Sequence, residues 1–390
     1  MPSILIVDDE ADLELLVLHN FRRRIAAGNL NFLFAANGEE ALRVLDAHPE
    51  IELIVTDINM PVMDGLTLLG HIFDLGRLHK TVIVSAYDDM ANIRTAMNRG
   101  ACDFLTKPID FTDVEKTIDK TLRDLGTLRE GLAARTKLAA LEYELSVATR
   151  IQRSILPEII KGNESFAIAA TMLPARQVSG DFYDFFLIDS RRMGLAIGDV
   201  SGKGIPAALF MAVCRTLLRA TALHGGRPHE CLEHVNRVLL RQRDTEVFLT
   251  LLYGILDLET GDFEFSAGAQ PPPWLFSKQG ESRFLHEPRG MMLGALDEAA
   301  YESRTVRLEP GDGLLLYTDG VTEAESGTAE FFSSARLCAL VELNKTKSVD
   351  GIVGAVMERL ETFTLSCEQS DDITMLAIQF QPAAIAASAA

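Results

Sequence analysis

The sequence predicts an α/β domain with a parallel sheet, then a helical linker, then an α+β domain of two packed sheets with helices on both outer faces. Three observations support this prediction. The first third alternates short apolar runs with helical patterns, residues 117–155 are rich in Leu, Ala, Glu, Arg and Lys without proline, and the remainder mixes strand-like runs with paired helical blocks. Alternating strands and helices favour a parallel sheet with right-handed crossovers, and mixed runs favour stacked layers.

The predicted strands of the first domain each end in polar side chains. The apolar runs are residues 4–7, 53–56, 82–84 and 104–106. The side chains that follow them are Asp8 and Asp9, Asp57, Ser85, and Lys107. Ligands of such sheets bind beyond the carboxyl ends of the strands, so we expect these groups to meet at one edge.

Residues 1–122 resemble the receiver domain of two-component response regulators, a flavodoxin-like fold with a doubly wound parallel sheet of five strands. The run Met-Pro-Val-Met-Asp-Gly at 60–65 is also typical of that family. By this resemblance a sensor histidine kinase phosphorylates Asp57, Lys107 pairs with the phosphoryl group, and Ser85 and Phe104 are the switch residues. The implied Mg²⁺ ligands are Asp8, Asp9, Asp57 and the backbone carbonyl of Asn59. In the alternative interpretation, the acids are turn residues of an unrelated α/β domain.

Residues 123–157 are predicted to be a helical linker that ends at Pro157, because proline cannot continue a helix. Two sets of apolar residues lie at helical spacing and differ in register. The first is Ile118, Leu125, Leu128 and Leu132, and the second is Leu138, Leu141, Leu145, Ala148 and Ile155, with Gln152 as a polar member of the seam. Two interpretations stay open: a short parallel coiled coil that pairs two copies, or an amphipathic helix that packs on its own domain.

Four acidic residues of the second domain, residues 158–381, lie in short turns flanked by glycine or serine. They are Asp181 in VSGDFYD (178–184), Asp199 in IGDVSGKG (197–204), Asp319 in LYTDGVTE (316–323) and Asp371 in SDDIT (370–374), with Asp372 as an alternative to Asp371. Carboxylates without His or Cys favour Mg²⁺ or Mn²⁺ over Zn²⁺. Two such ions roughly 3.5–4 Å apart can hold a phosphate and activate water. The sequence therefore predicts metal-dependent phosphate chemistry.

The second domain resembles the metal-dependent PPM serine/threonine phosphatases, in their SpoIIE-like branch, whose fold is an α-β-β-α sandwich. By that resemblance Asp199 bridges two Mn²⁺ or Mg²⁺ ions, Asp181 and the carbonyl of Val200 serve one ion, and Asp319 and Asp371 serve the other. Arg176 is a candidate phosphate contact, with a surface salt bridge as the alternative role. Many relatives carry Ala-Gly-His where residues 267–270 read Ala-Gly-Ala-Gln, a departure that removes no expected ligand.

Composition narrows the class of protein. A formal net charge of −19 argues against duplex DNA as a partner, because phosphate binding requires a basic face. No apolar stretch approaches the roughly 20 residues that span a bilayer, and the chain begins with a strand-like run instead of a basic leader. We therefore expect a cytoplasmic location without membrane partners. The five cysteines are dispersed without a Cys-x-x-Cys pair, so neither a zinc site nor a disulfide framework is indicated.

These features together predict a response regulator whose phosphorylation controls a phosphoserine/phosphothreonine protein phosphatase. In the SpoIIE-like branch the substrate is typically a phosphorylated anti-sigma-factor antagonist in a partner-switching pathway. The expected partners are a sensor histidine kinase, that substrate, and a second copy of the chain through the linker. The alternative is a catalytically inactive adaptor that binds a regulatory protein under receiver control. The alanine-rich tail, residues 382–390, is predicted to be disordered.

Overall fold

The computed structural model describes residues 1–86, 89–158, 165–241, 247–286, 288–365 and 367–381. The chain divides into two compact units, Met1–Ala140 and Leu141–Ala390. The tail for which disorder is predicted lies outside the described residues.

The first unit contains one parallel sheet in the order β2-β1-β3-β4-β5. Its strands are β1 (Ser3–Val7), β2 (Asn31–Ala35), β3 (Ile51–Asp57), β4 (Lys80–Ala86) and β5 (Asp103–Lys107). The shorter helices are α1 (Ala11–Asn20), α2 (Arg22–Ala26), α3 (Gly38–Ala47), α4 (Gly65–Asp74) and α5 (Met90–Asn98). Continuous apolar strands such as β1 are buried on both faces, which is typical of a sheet covered by helices on each side. The four predicted runs are strands, and the half-buried edge strand β2 is one that the run pattern did not identify.

One helix of 45 residues, α6 (Phe111–Ile155), contains the predicted linker up to Ile155 and begins earlier than residue 117. Its first turns bury Val114 and Ile118 in the core of the first unit, and Leu125 is also buried. Leucines in its middle are exposed: Leu128, Leu132, Leu138 and Leu141. Leu145 and Ala148 are half-buried, and Gln152 is 5% exposed. The downstream part of the predicted seam therefore packs on its own unit, whereas the middle leucines remain free of such packing.

The second unit contains two antiparallel sheets. Sheet I has the order β13-β10-β9-β8-β7, and sheet II has the order β12-β11-β14-β15-β6. The strands are β6 (Phe166–Leu173), β7 (Phe182–Leu187), β8 (Arg192–Val200), β9 (Leu249–Asp257), β10 (Asp262–Gly268), β11 (Trp274–Phe276), β12 (Arg283–Phe284), β13 (Arg304–Arg307), β14 (Gly313–Tyr317) and β15 (Ile373–Phe380). The short strands β11, β12 and β13 carry too few residues for their period to be recognised in the sequence.

Helices cover both outer faces of the paired sheets. They are α7 (Ile205–Leu223) and α8 (Pro228–Leu240) on sheet I, and the single turn α9 (Asp319–Thr322), α10 (Ser333–Asn344) and α11 (Val349–Phe363) with sheet II. Strand alternation divides the core: Leu195 and Ile197 of β8 face the space between the sheets, whereas Ala196 and Val200 face α7 and α8. The predicted α-β-β-α sandwich is confirmed.

Among the described residues, one helix, α7, is long and apolar enough to cross a membrane by length and composition. The core helix of a globular domain passes the same test. Helix α7 buries Ala207, Met211, Cys214 and Leu218 against sheet I.

Candidate metal and phosphoryl sites

The strand ends of the first unit bring an ammonium group against three carboxylates. Lys107 Nζ lies 2.7 Å from Asp57 Oδ2, 3.2 Å from Asp8 Oδ2 and 3.1 Å from Glu10 Oε1. Strands β3 and β5 flank β4 in the parallel sheet, so the ends carrying Asp57 and Lys107 point the same way. Sequence reasoning missed Glu10, because it follows the acidic pair without a pattern of its own.

The three aspartates of this edge form a compact oxygen cluster. One carboxylate oxygen each of Asp8, Asp9 and Asp57 lies within 4.8 Å of the others, and no other such group of His, Cys, Asp or Glu occurs among the described residues. Burial raises the pKa of Asp8, against the opposing effects of the Glu10 amide and Lys107. Burial alone would lower the pKa of Lys107, but its hydrogen bonds to Asp57 and Glu10 raise it above the usual value. An acidic oxygen cluster of this kind suits a hard cation.

The two predicted switch residues differ in exposure. Ser85 is 1% exposed, and its Oγ donates to Asp89 Oδ2 at 3.4 Å. Phe104 on β5 is 40% exposed. The Asn59 amide donates to Asp57 Oδ1 at 3.4 Å, so the backbone at this position adjoins the Asp57 carboxylate.

In the second unit, strand register places Asp181 opposite Asp199. Strand β7 pairs with β8 so that Phe182 faces Gly198, and Asp181 is the residue just before β7 while Asp199 follows Gly198. Asp181 is 1% exposed. Gly180 packs so closely that a Cβ there would lie 2.9 Å from the carbonyl oxygen of Val200. The two acids and the Val200 carbonyl thus share one end of sheet I.

Asp319 and Asp371 meet at the corresponding end of sheet II. Strands β14 and β15 are antiparallel with Tyr317 opposite Met375, so the residues after β14 adjoin those before β15. A Cβ at Gly320 would lie 2.0 Å from the carbonyl oxygen of Asp372, which excludes any side chain there. Glycine after Asp319 is therefore required for this close approach.

A hydrogen bond joins the two acidic ends across the sheets. Thr318 Oγ1 donates to Asp181 Oδ2 at 2.7 Å and accepts the Thr374 amide at 3.1 Å. The side chains predicted from four separate motifs therefore lie at one edge of the sandwich. No three of these described carboxylates place an oxygen each within 4.8 Å of one another, so they are more widely spread than the aspartates of the first unit.

The neighbours Asp371 and Asp372 have different surroundings. Asp372 is 5% exposed and accepts three hydrogen bonds of 2.7 Å, from the amides of Ala175 and Gly180 and from Ser179 Oγ. The side chain of Asp371 is 38% exposed, and its Oδ2 lies 3.1 Å from Lys203 Nζ. Asp372 is saturated by donors of the loop before β7, whereas Asp371 faces a cation.

Repulsion among these acids perturbs their protonation. Burial, followed by Asp319, raises the pKa of Asp199 to about 7. Burial and Asp199 raise the pKa of Asp181 well above its usual range, and burial and Asp371 raise that of Asp319. Carboxylates that retain protons because they are buried and repel one another are a donor set that divalent cations would neutralise. The residues therefore fit the Mn²⁺ or Mg²⁺ ions that the motifs predict.

Two basic residues adjoin this edge. Arg176 is exposed, and a Cβ at Gly204 would lie 3.8 Å from its Nη1. Lys203 contacts Asp371 and also donates to the carbonyl oxygen of Ser370. Sequence reasoning assigned no role to Lys203, although it stands within the Asp199 motif. The loop that follows Asp199 thus brings positive charge beside the acids.

The linker helix also contacts this edge within the second unit. Gln152 Nε2 donates to the carbonyl of Ser179 at 2.7 Å, and Gln152 Oε1 accepts the Ser179 amide at 2.9 Å. Ser179 Oγ in turn accepts the Asp181 amide at 3.0 Å. Heptad position alone indicated a polar seam residue at Gln152, but its amide pairs with the backbone of the metal-site loop instead.

Comparison with known proteins agrees with both halves of the fold. The family model for the response regulator receiver domain matches residues 4–119, and that for stage II sporulation protein E (SpoIIE) matches residues 189–381. Phosphoserine phosphatase RsbU of Bacillus subtilis is 28% identical over 242 residues, which cover 61% of this chain and 70% of RsbU. The RsbU and RsbW domains of Rv1364c from Mycobacterium tuberculosis match at 29% identity and a TM-score of 0.50, over 56% of this chain and 61% of that one. The SiaA-PP2C domain of Pseudomonas aeruginosa, at 22% identity, shares the fold with a TM-score of 0.56 over 63% of this chain and 98% of its own.

Proposed function

We propose that this protein catalyses the metal-dependent hydrolysis of phosphoserine or phosphothreonine in another protein. The proposal starts from the two domains: residues 4–119 are a response regulator receiver domain, and residues 189–381 are a SpoIIE-type domain of PPM phosphatase fold. The convergence of Asp181, Asp199, Asp319 and Asp371 at one edge of the sandwich carries this proposal. An adaptor that only binds would not need to retain four mutually repelling carboxylates.

The proposed ligands divide between the sheets. Asp181 and the Val200 carbonyl would hold one ion, Asp319 and Asp371 would hold the other, and Asp199 would serve both. When bound, two Mn²⁺ or Mg²⁺ ions supply Lewis-acid stabilisation of the phosphate and a water of lowered pKa that attacks phosphorus. Asp372 serves these ligands by fixing the loop that carries Asp181, through its bonds to Ser179 and Gly180.

The basic residues beside the acids would orient the substrate. Arg176 offers a planar fork of donors that suits a phosphate, and its guanidinium has no partner among the described residues. Lys203 supplies a point charge that already neutralises Asp371. In this proposal Lys203 is released from Asp371 when the ions bind, and its ammonium becomes available to the phosphoryl oxygens.

The proposed substrate is a phosphorylated anti-sigma-factor antagonist. The support is the likeness to RsbU, which is named a phosphoserine phosphatase, over 70% of its length. A partner-switching role of this kind places the protein in the cytoplasm, where sensor kinases and antagonists meet it. The net charge of −19 favours a protein partner over nucleic acid.

For the receiver, we propose that a sensor histidine kinase supplies the phosphoryl group to Asp57. Lys107 would pair with that group, while Asp8, Asp9, Asp57 and the Asn59 carbonyl would hold Mg²⁺, which supplies charge neutralisation for the transfer. Ser85 and Phe104 would then leave their present surroundings.

This change in the receiver would alter the pairing of two chains through the exposed leucines of α6. Light scattering with and without beryllofluoride tests the pairing, and a monomer of unchanged mass in both states would contradict it.

The enzyme activity has a direct test. Purified full-length protein should hydrolyse an aryl phosphate in the presence of Mn²⁺, and Asp199→Ala should abolish this turnover. Asp350→Ala, an exposed acid in the first turn of α11, is the matched control and should retain full activity. Absence of Mn²⁺-dependent turnover on both the aryl phosphate and a phosphoprotein substrate would favour the binding adaptor.

A further inference from the structure

Gln270 connects the two sheets directly beneath the proposed metal site. Its side chain is 1% exposed. Its Oε1 accepts a 2.6 Å hydrogen bond from Thr250 Oγ1, and its Nε2 donates to the carbonyl oxygen of Tyr317 at 3.1 Å. We propose that Gln270 is a positioning residue that holds the two halves of the metal site at a fixed separation, an inference that rests on the proposed phosphatase function.

The two groups that Gln270 joins are each adjacent to a proposed ligand. Thr250 of β9 lies opposite Asp199 of β8, and its hydroxyl is also 3.5 Å from the Asp199 carbonyl oxygen. Tyr317 is the last residue of β14 and precedes Asp319 by two positions. One amide therefore spans from the strand beside Asp199 to the strand that delivers Asp319.

The backbone around Gln270 is well suited to hold a side chain in place. The chain passes here from β10 of sheet I to β11 of sheet II. Ala269 has a φ of 57°, in the left-handed region, and residues 271–273 are three consecutive prolines. Proline fixes its own φ and restricts the residue before it, which is Gln270. The amide is thus mounted on a stiff crossover between the two sheets.

Fixed separation matters because two ions that share a ligand must stay roughly 3.5–4 Å apart. Thr318 already ties Asp181 to sheet II, whereas the Gln270 bridge acts on the Asp199 side. Residues that orient metal ligands without touching the metal typically change metal affinity by about 10- to 100-fold. Because an amide does not titrate, this contribution should be the same at every pH at which the protein is folded.

The test compares Gln270→Met with Gln379→Met in the full-length protein. Gln379 is the matched control: it is 2% exposed, lies in β15 of sheet II, and donates to the Gly311 carbonyl at 2.9 Å, but it stands at the end of β15 opposite to Asp371. Mn²⁺ binding is followed by calorimetry and by the exchange-coupled electron paramagnetic resonance signal of a close ion pair. The single ion of the receiver gives no such coupling.

We expect both substitutions to lower stability, but only Gln270→Met to weaken pair formation, by about 10- to 100-fold. Thr250→Val, which lacks the hydroxyl, should show the same loss of pair formation, and Thr250→Ser, which keeps it, should form the pair as wild type does. These two variants keep the test decisive if Gln270→Met fails to fold. Wild-type-like pair formation in Gln270→Met and Thr250→Val would overturn the inference alone. A wild-type protein that forms no coupled Mn²⁺ pair would overturn the inference together with the proposed function.

Discussion

At the scale of single residues, neighbours in sequence have opposite roles because their hydrogen bonds differ. Asp371 meets Lys203 at a half-exposed position, whereas Asp372 accepts three donors at a buried one. The sequence Ser-Asp-Asp could not separate them, because both acids follow the same turn. Their surroundings lead us to propose Asp371 as the metal ligand and Asp372 as the acid that orders the loop carrying Asp181.

Substitution of each acid by asparagine distinguishes these roles. Asp371→Asn should weaken Mn²⁺ binding by at least about tenfold, with little change in the unfolding free energy, because the side chain is 38% exposed and the asparagine oxygen can still accept the Asp372 amide. Asp372→Asn should lower the unfolding free energy by about 2 kcal/mol, since its amide would face the Gly180 N–H. Urea unfolding with EDTA and Mn²⁺ titration measure the two effects. The reverse assignment of effects would identify Asp372 as the ligand.

The raised pKa values predict how stability depends on pH without metal. The folded state holds a proton on Asp199 up to about pH 7, well above the ordinary aspartate pKa of 3.8. This stabilisation is therefore complete below the ordinary pKa and is lost as pH rises through about 7. We expect the unfolding free energy of EDTA-treated protein to fall as the pH rises from 3.8 to about 7 and then to level off, and to fall less in Asp199→Asn, which carries no titrating group at that position. Mn²⁺ affinity should rise over the same interval. An equal slope in both proteins would show that Asp199 does not titrate in this range.

At the scale of elements, helix α6 is the part of the chain whose role depends most on tertiary contacts. Helical period and the absence of proline predict its existence, and Gly126 and Gly131 do not interrupt it. The helical period of the apolar residues could not show which of them pack within the chain. Leu145 is half-buried and Gln152 bonds Ser179 within the second unit, whereas Leu132 and Leu138 stay exposed.

Gln152 is the contact through which α6 would act on the metal site. Gln152→Leu removes both bonds to Ser179, the residue that also bonds Asp372 and the Asp181 amide. We expect Mn²⁺ affinity to fall by about tenfold, as for other residues that orient metal ligands. Mn²⁺ titration measures this, and Arg153→Leu, at an exposed position of the same turn, is the control and should bind as wild type does. If Gln152→Leu loses stability but keeps its Mn²⁺ affinity, the contact serves only the fold.

At the scale of the whole molecule, the sequence predicted both sheet architectures and the acids at their edges. Strand ends could be located because apolar runs stop at Asp8, Asp57 and Asp199. The residues around those acids could not be predicted, because strand register and crossovers bring Lys203, Gln270 and Thr318 to the acids, and no local sequence pattern indicates these. The short strands β11 to β13 and the edge strand β2 were likewise too weak in period to recognise.

We propose that a phosphorylatable receiver controls a metal-dependent phosphatase in one chain. Coupling between two such sites is typically about 1–3 kcal/mol, so a several-fold change in rate is the expected scale. Whether phosphorylation raises or lowers the rate is measured in the experiment below.

The most direct measurement is the rate of Mn²⁺-dependent hydrolysis of a phosphoserine protein by the full-length chain, with and without beryllofluoride as a phosphoryl mimic. We expect metal-dependent turnover whose rate changes several-fold with the mimic in wild type and not in Asp57→Asn, and no turnover in Asp199→Ala. A turnover rate that is the same with and without the mimic would contradict receiver control. Absence of metal-dependent turnover in every state would contradict the proposed phosphatase activity.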